Sequence, residues 1–449
     1  MTDREYPRVL ILNQPFNYYS GGGITISNLF KGWPKEKIAV AATGHSLYNA
    51  VSDSCDTYYQ LGTEEHKWIF PLNLIQKSFP SGLKTFENIS GVSKYSSKSK
   101  LRHAFINSYI NPILEWLGLI HGVTKISLSE KFKKWLSEYQ PEILYIQASR
   151  RDTILFAIRI IKFLKIPAFY HFMDDWPSTI CVKSVFQSYW KSKIDAELRE
   201  LLDMVDVNLS ISDAMAIEYS KRYNKKFITF HNPIETESWL KHTKNIFYLR
   251  KDNVKILYSG RIGIGITDSL ENIASAIEKT NSEAINIKLH IQTRTQDHEI
   301  INRLVKYSCV IINPFVEYEE LPKIFAEADI LVLPNDFDAL GSAYLKYSMP
   351  TKASEYMISG TPVLVYAPKD NAVLEFFKDQ DCGLCVSEQS IEALQGAIQF
   401  IIDNEEFRRK ISQNSVTLAK IKFDAKIIQE EFQNLLINSR KGLNDYIQD

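Results

Sequence analysis

The chain has 449 residues, 45% hydrophobic and 24% charged, with 53 basic against 53 acidic side chains and a formal net charge of zero. That length exceeds what one hydrophobic core usually serves, so two domains of roughly 200 residues each are expected, and the balanced charge argues against nucleic acid as a partner. No apolar run reaches the roughly 18 residues of a membrane span and no leader-like apolar core follows the N-terminus, while five scattered cysteines (Cys55, Cys181, Cys309, Cys382, Cys385) suit a reducing compartment; the expectation is a cytoplasmic protein.

In chain order, an apolar run at 8–12 precedes a turn-prone stretch holding Gly21, Gly22 and Gly23, and helical periodicity follows over 24–33. Strand, loop and helix are predicted. Side-chain-free residues before a helix N-terminus let a ligand, preferably a negative one, approach the backbone; the plainer reading is a flexible turn. Asn28 on that helix is a solvated polar residue or an acceptor contact. Residues 67–135 are basic and aromatic with weak periodicity (among them Trp68, Phe70, Lys94, Lys98, Lys100, Arg102, Trp116 and Trp135) and read as a helical insertion. Two readings of it stand side by side: a surface lying against an anionic membrane, and a solvated insertion with its own small core. Runs at 143–146 and 168–172, with a helical pattern at 153–164 between them, make a β-α-β unit. At the carboxyl end of the last strand stand His171, Met173, Asp174, Asp175 and Trp176, where ligands of open α/β sheets collect. The acids can bind sugar hydroxyls while the indole stacks on a ring; alternatively the aspartates cap the next helix and His171 is buried.

The second half alternates apolar runs (255–258, 285–291, 309–312, 330–333, 363–366, 384–386) with helical segments, the pattern of a parallel sheet with crossover helices. Asp268 is placed to cap one helix, with Glu271 reaching back. The stretch Pro350, Thr351, Lys352, Ala353, Ser354, Glu355, Tyr356, Met357, Ile358, Ser359, Gly360, Thr361, Pro362 is a short helix with marked ends, feeding a strand. Lys352 and Glu355 share one face near its N-terminus, where exposed N–H groups attract phosphate; the plainer reading is a surface ion pair. Asp336, Phe337, Asp338 is too common a pattern to argue for a metal. Cys382 and Cys385 lack a second pair at zinc spacing, so no metal is expected.

This last stretch, with the strand before it, resembles the donor site of retaining glycosyltransferases of family four, which have the GT-B fold. The likeness extends to the glycine stretch after the first strand, to Asn232-Pro233 at the junction, and to Tyr258, Ser259, Gly260, Arg261. It implies an α/β fold of two Rossmann-like domains with parallel sheets facing a central cleft: an acceptor-binding domain over 1–232, a nucleotide-sugar domain over 233–420, and a C-terminal helix over 421–449 returning to the first. It implies a donor site of Arg261, Lys352, Glu355, Gly22, Gly23, Ser259 and Gly260, with Glu355 on the ribose hydroxyls and Arg261 on the diphosphate. Asp174, His171 and Arg261 would be the catalytic groups and Asp175, Trp176 and Asn28 would meet the acceptor. Two departures stand out. The partner glutamate that many members carry is Tyr347 here, and the lysine often found after the arginine is missing from Ile262, Gly263, Ile264, Gly265, Ile266; Lys352 is the candidate second cation. The implied function is retaining, metal-independent transfer from a UDP- or GDP-sugar to a saccharide or polyprenyl-linked hydroxyl in cell-surface polysaccharide synthesis, without a cofactor, at the inner face of the cell membrane if the insertion docks there. The alternatives are a non-catalytic scaffold subunit of a polysaccharide assembly complex and a nucleotide-sugar epimerase.

Overall fold

The computed structural model describes residues 5–439 apart from 19, 48–49, 75, 77, 85–110, 183 and 296. It divides into two compact units, Met1–Phe230 with Gln429–Asp449, and His231–Ile428.

The first unit is built on β1 (Val9–Leu12), β2 (Ile38–Thr43), β3 (Thr57–Leu61), β4 (His66–Trp68), β5 (Gly82–Lys84), β6 (Thr124–Ile126), β7 (Ile143–Ile146), β8 (Ala168–Phe172), β9 (Val207–Ser210) and β10 (Phe227–Thr229). Eight of these form one sheet in the order β10-β9-β8-β7-β1-β2-β3-β5. It is parallel except at β5, which runs antiparallel to β3. Strands β1, β7 and β8 are buried at every residue, which is why they read as continuous apolar runs rather than as alternating ones. β4 and β6 pair separately, antiparallel.

Two expectations for this unit need correction. The three glycines are not a loop: Gly21–Leu29 is a helix, and the Ser20 hydroxyl caps it by accepting the Gly23 N–H. Nor does the insertion run as far as 135. The helix Glu130–Tyr139 buries Phe132, Trp135 and Leu136, positions three and four apart that form one face, and Trp135 stacks on Tyr59 at 4.8 Å. It is part of the sheet's packing, not a membrane-facing surface. Lys94, Lys98, Lys100 and Arg102 lie outside the described residues.

The C-terminal helix Ala425–Ser439 has no strand of its own to cover. From Gln429 onward it belongs to the first unit, where buried Phe432 meets Phe30 at 5.1 Å and Phe230 at 5.3 Å. Gln429 and Gln433 donate to the Asn28 and Lys31 carbonyls at the end of the first helix.

The second unit holds β11 (Val254–Ser259), β12 (Ile287–Gln292), β13 (Val310–Asn313), β14 (Ile330–Pro334), β15 (Val363–Tyr366) and β16 (Leu384–Val386). They form one parallel sheet ordered β13-β12-β11-β14-β15-β16. The order reverses direction between β11 and β14, and ligand crevices open at the carboxyl ends of such strands. One helix start differs from expectation. Ile266 occupies the cap of Thr267–Thr280, and Asp268 and Glu271, inside the helix, both pair with Arg303. Among the described residues no helix is long and apolar enough to cross a membrane.

Candidate functional site

In the second unit the stretch that resembles a donor site forms the helix Thr351–Ile358, with Pro350 at its cap and Gly360 in the left-handed region just beyond its end. Six of its residues, Ala353 to Ile358, are buried. The helix is therefore a core element, and the plain surface-ion-pair reading of Lys352 and Glu355 does not hold. Tyr356 ties it to the sheet, its hydroxyl accepting the Ser259 N–H at 2.8 Å. This uses the Ser259 amide, so only its side chain is left for a ligand.

Lys352 leans toward the carboxyl end of β11. Its ammonium lies 3.9 Å from the centre of the Tyr258 ring, a cation–π contact strengthened by partial desolvation. Gly260 makes room for it: a Cβ there would stand 2.6 Å from Lys352 Nζ, and the backbone has φ +148. Burial pushes the ammonium down to about 7, the Arg261 charge adds to that, and Glu355 opposes it. Glu355 is 6% exposed, and burial raises its carboxyl to about 7, with the Tyr318 hydroxyl and Lys352 pulling it back. Arg261 is exposed on the loop after β11 and donates to the Ile264 carbonyl at 3.3 Å. One exposed cation, one buried cation and one buried carboxyl thus gather at the β11 end and the helix N-terminus. Tyr258 and Tyr318 belong to this site. Sequence reasoning gave Tyr318 no role, since it comes from a distant segment with no spacing signal.

Tyr347, where a second carboxylate was sought, is half-buried beside Lys346. Asp268, Asp336 and Asp338 bring carboxylate oxygens within 4.8 Å of one another, yet each is already employed. Asp338 caps the helix Ala339–Leu345, Asp268 pairs with Arg303, and Asp336 accepts the Ser269 N–H at 2.7 Å, burial raising its carboxyl to about 6. Cys382 and Cys385 are free thiols, both pushed up to about 12 by burial.

In the first unit the constellation after β8 is reassigned. Asp175 is 1% exposed and pairs with Arg222 at 2.9 Å while accepting from Tyr219 at 2.6 Å and Ser178 at 2.6 Å. A carboxylate so engaged holds the fold and is not free for an acceptor. Trp176 is 7% exposed, so its ring cannot stack on a sugar. His171 is fully buried, and burial holds its imidazole down to about 3, with the Ser210 carbonyl pulling the other way. It stays neutral at physiological pH and cannot serve as an acid. Its Nδ1 lies 2.5 Å from the Tyr145 hydroxyl. Asp174 is half-buried and accepts the Trp176 N–H at 3.3 Å. Asn28 is half-buried on the first helix, its carbonyl taken by Gln429. Gly22 and Gly23 sit in the first helical turn under the Gln14, Gln147 and Asn17 side chains.

Residues 242–417 match the family model described as "Glycosyl transferases group 1", so the second unit carries a domain of that type. A search of curated protein sequences finds no match. Among solved structures, the chain is similar to sucrose-phosphate synthase from Thermosynechococcus elongatus, at 14% identity over 95% of this chain and 97% of that one, TM-score 0.59. It is similar to Anabaena HepE, solved in complex with UDP-glucose, at 11% identity over 96% and 99%, TM-score 0.56. WaaG, a glycosyltransferase involved in lipopolysaccharide biosynthesis, aligns at 12% identity over 95% and 99%, TM-score 0.53. At these identities the likeness is one of fold, and the fold is GT-B.

Proposed function

We propose that this GT-B chain, whose second unit carries a glycosyltransferase group 1 domain, moves a sugar from a nucleoside-diphosphate donor (UDP or GDP) to a hydroxyl, retaining the anomeric configuration and needing no metal. The observation that carries the reading is the convergence of Lys352, Glu355 and Arg261 at the carboxyl end of β11 inside the matching domain. A departing diphosphate needs balancing positive charge. Lys352 supplies it from a desolvated position and Arg261 from the loop, while the N-terminus of Thr351–Ile358 adds its unpaired N–H groups. Glu355, held against Tyr318, accepts the ribose hydroxyls. Proton transfer from the acceptor goes to the donor's own phosphate on the same face, so no protein nucleophile is required. Asp174 is the acceptor-side carboxylate in this scheme.

The acceptor we assign is a saccharide or polyprenyl-linked saccharide hydroxyl of cell-surface polysaccharide synthesis. Contact with a membrane is supported by the exposed Phe70, Leu74, Ile113 and Trp116; unchanged binding of Phe70→Ser/Trp116→Ser to anionic vesicles would remove it. The scaffold reading is favoured by Tyr347 standing where a glutamate is often found and by the absence from residues 262–266 of the lysine often found after the arginine. Incubating the purified chain with a panel of UDP- and GDP-sugars decides among these. Release of nucleoside diphosphate with a new glycoside supports transfer, free epimer supports an epimerase, and neither binding nor turnover with any donor leaves the scaffold.

A further inference from the structure

The helix Arg151–Leu164 crosses over from β7 to the parallel strand β8. A crossover helix runs back along the sheet, so its last turns lie toward the amino ends of these strands, away from the carboxyl ends where His171 and Asp174 stand. On those turns Arg159, Lys162 and Phe163 are spaced by three and four and share one face, and all three are exposed. Opposite them are Ser127 and Leu128, in the loop from β6 to the helix Glu130–Tyr139, and Lys133 in that helix. The six side chains line an open cavity of about 410 Å³, within the size range of small-molecule sites.

The charge of the lining has one sign: three cations and no carboxylate. Two of the cations are lightly held. Lys162 pairs with Glu200 at 2.8 Å and Lys133 with Glu130 at 2.7 Å, and both acids are at least half exposed, so water screens these pairs. Arg159 has no carboxylate partner among the described residues; its guanidinium donates to the Ile126 carbonyl, which orients the fork and leaves its other N–H groups for a ligand. Ser127 spends its hydroxyl proton on the Glu64 carbonyl at 2.6 Å, so an anion here is met by the cations alone.

The apolar wall is Leu128 with Phe163, whose side chain is 41% exposed. A helix dipole favours cations at the last turn, which accounts for Arg159 and Lys162. It does not account for Lys133, a cation near the N-terminus of its own helix, or for a phenyl ring left in water beside them. Converging cations with an arginine fork match a phosphate, and an open aromatic face matches an organic body. We propose that this cavity is a second ligand site, built from residues other than the donor set, that takes an organic phosphate: the phosphate on Arg159, Lys162 and Lys133, its apolar body against Phe163 and Leu128. A soluble phosphate ester and a phospholipid headgroup both offer this chemistry. Nothing in the site depends on the transferase reading.

The soluble probe is phenyl phosphate, followed by saturation-transfer NMR on the full chain with benzyl alcohol as the uncharged control. The lipid probe is cosedimentation with phosphatidylcholine vesicles with and without phosphatidylglycerol. Saturable binding of phenyl phosphate but not benzyl alcohol marks a soluble ester as ligand; binding to the anionic vesicles alone marks the lipid. In the arm that binds, Arg159→Gln/Lys162→Gln weakens binding at least about tenfold, the loss of charge-assisted hydrogen bonds, and Lys352→Met leaves it unchanged. Phe163→Ser weakens phenyl phosphate or vesicle binding and leaves inorganic phosphate, read by ³¹P line broadening, unchanged. Thermal midpoints of all variants separate misfolding from lost contacts. Binding of neither probe, equal binding of benzyl alcohol, full binding by Arg159→Gln/Lys162→Gln, no effect of Phe163→Ser, or loss in Lys352→Met overturns the site.

Discussion

Donor binding in the second unit should depend on pH through Lys352. Its ammonium is held near 7 in the free protein by burial and by Arg261, and a bound diphosphate returns it toward its ordinary 10.5. The charged fraction then falls from one half at pH 7 to about one hundredth at pH 9, so the apparent Kd for UDP rises about fifty-fold across that interval. The groups facing it are Tyr258 beneath the ammonium, Arg261 on the loop, Glu355 on its own helix and Tyr318 beyond. The two phenols, both raised by burial, keep one protonation state over this range. Glu355, near 7, is about nine-tenths ionised by pH 8 and contributes little above it. Below pH 7 its protonation weakens acceptance of ribose hydroxyls, so affinity peaks near neutrality. Calorimetry of UDP in HEPES and in Tris at pH 8 should show uptake of about 0.8–0.9 proton per UDP bound. Lys352→Met should lose both the uptake and the alkaline limb, Lys352→Arg should bind UDP with a flat profile, and Glu355→Gln should lose the acid limb. A pH-independent Kd in the wild type, or an unchanged alkaline limb in Lys352→Met, refutes the reasoning.

Three further outcomes are expected. Gly260→Ala forces a Cβ to 2.6 Å from Lys352 Nζ at φ +148; it should cost about 1–3 kcal/mol by urea unfolding and weaken UDP binding together. Asp175→Asn leaves Arg222 without its buried partner, lowering stability by about 3 kcal/mol while glycoside binding by the folded fraction is unchanged; a glycoside-binding defect without destabilisation would restore Asp175 as an acceptor contact. Trp135→Ala should cost about 3–5 kcal/mol, whereas Phe70→Ser, at a side chain 78% exposed, should stay within about 0.5 kcal/mol. Equal effects in thermal unfolding would contradict the division of the insertion.

Where strands are buried on both faces, the chain could be read directly. The runs at 168–172 and 363–366 coincide with β8 and β15, because a parallel strand under helices must be apolar throughout. The helix at 351–358 was legible from Pro350 and Gly360 for a similar reason, since backbone conformation alone dictates those residues. Edge elements such as β5 and the β4–β6 pair were not legible, being three residues each with mixed exposure.

Side chains that work across distant segments were beyond such reading. Asp175 looked free beside Trp176 in sequence, but Arg222 and Tyr219 reach it from a helix that starts at Asp213. Gly21 to Gly23 looked like an open loop; the Ser20 cap closes it into a helix, and two glutamines from separate strand ends cover Gly22. The sequence by itself determined several of the buried strands, which helix carries Lys352 and Glu355, and that the parts repeat a β-α alternation, because local periodicity and end residues encode these. Only the tertiary structure decided which acids are paired and which histidine is dry, because desolvation and pairing depend on residues that the chain brings together from far apart.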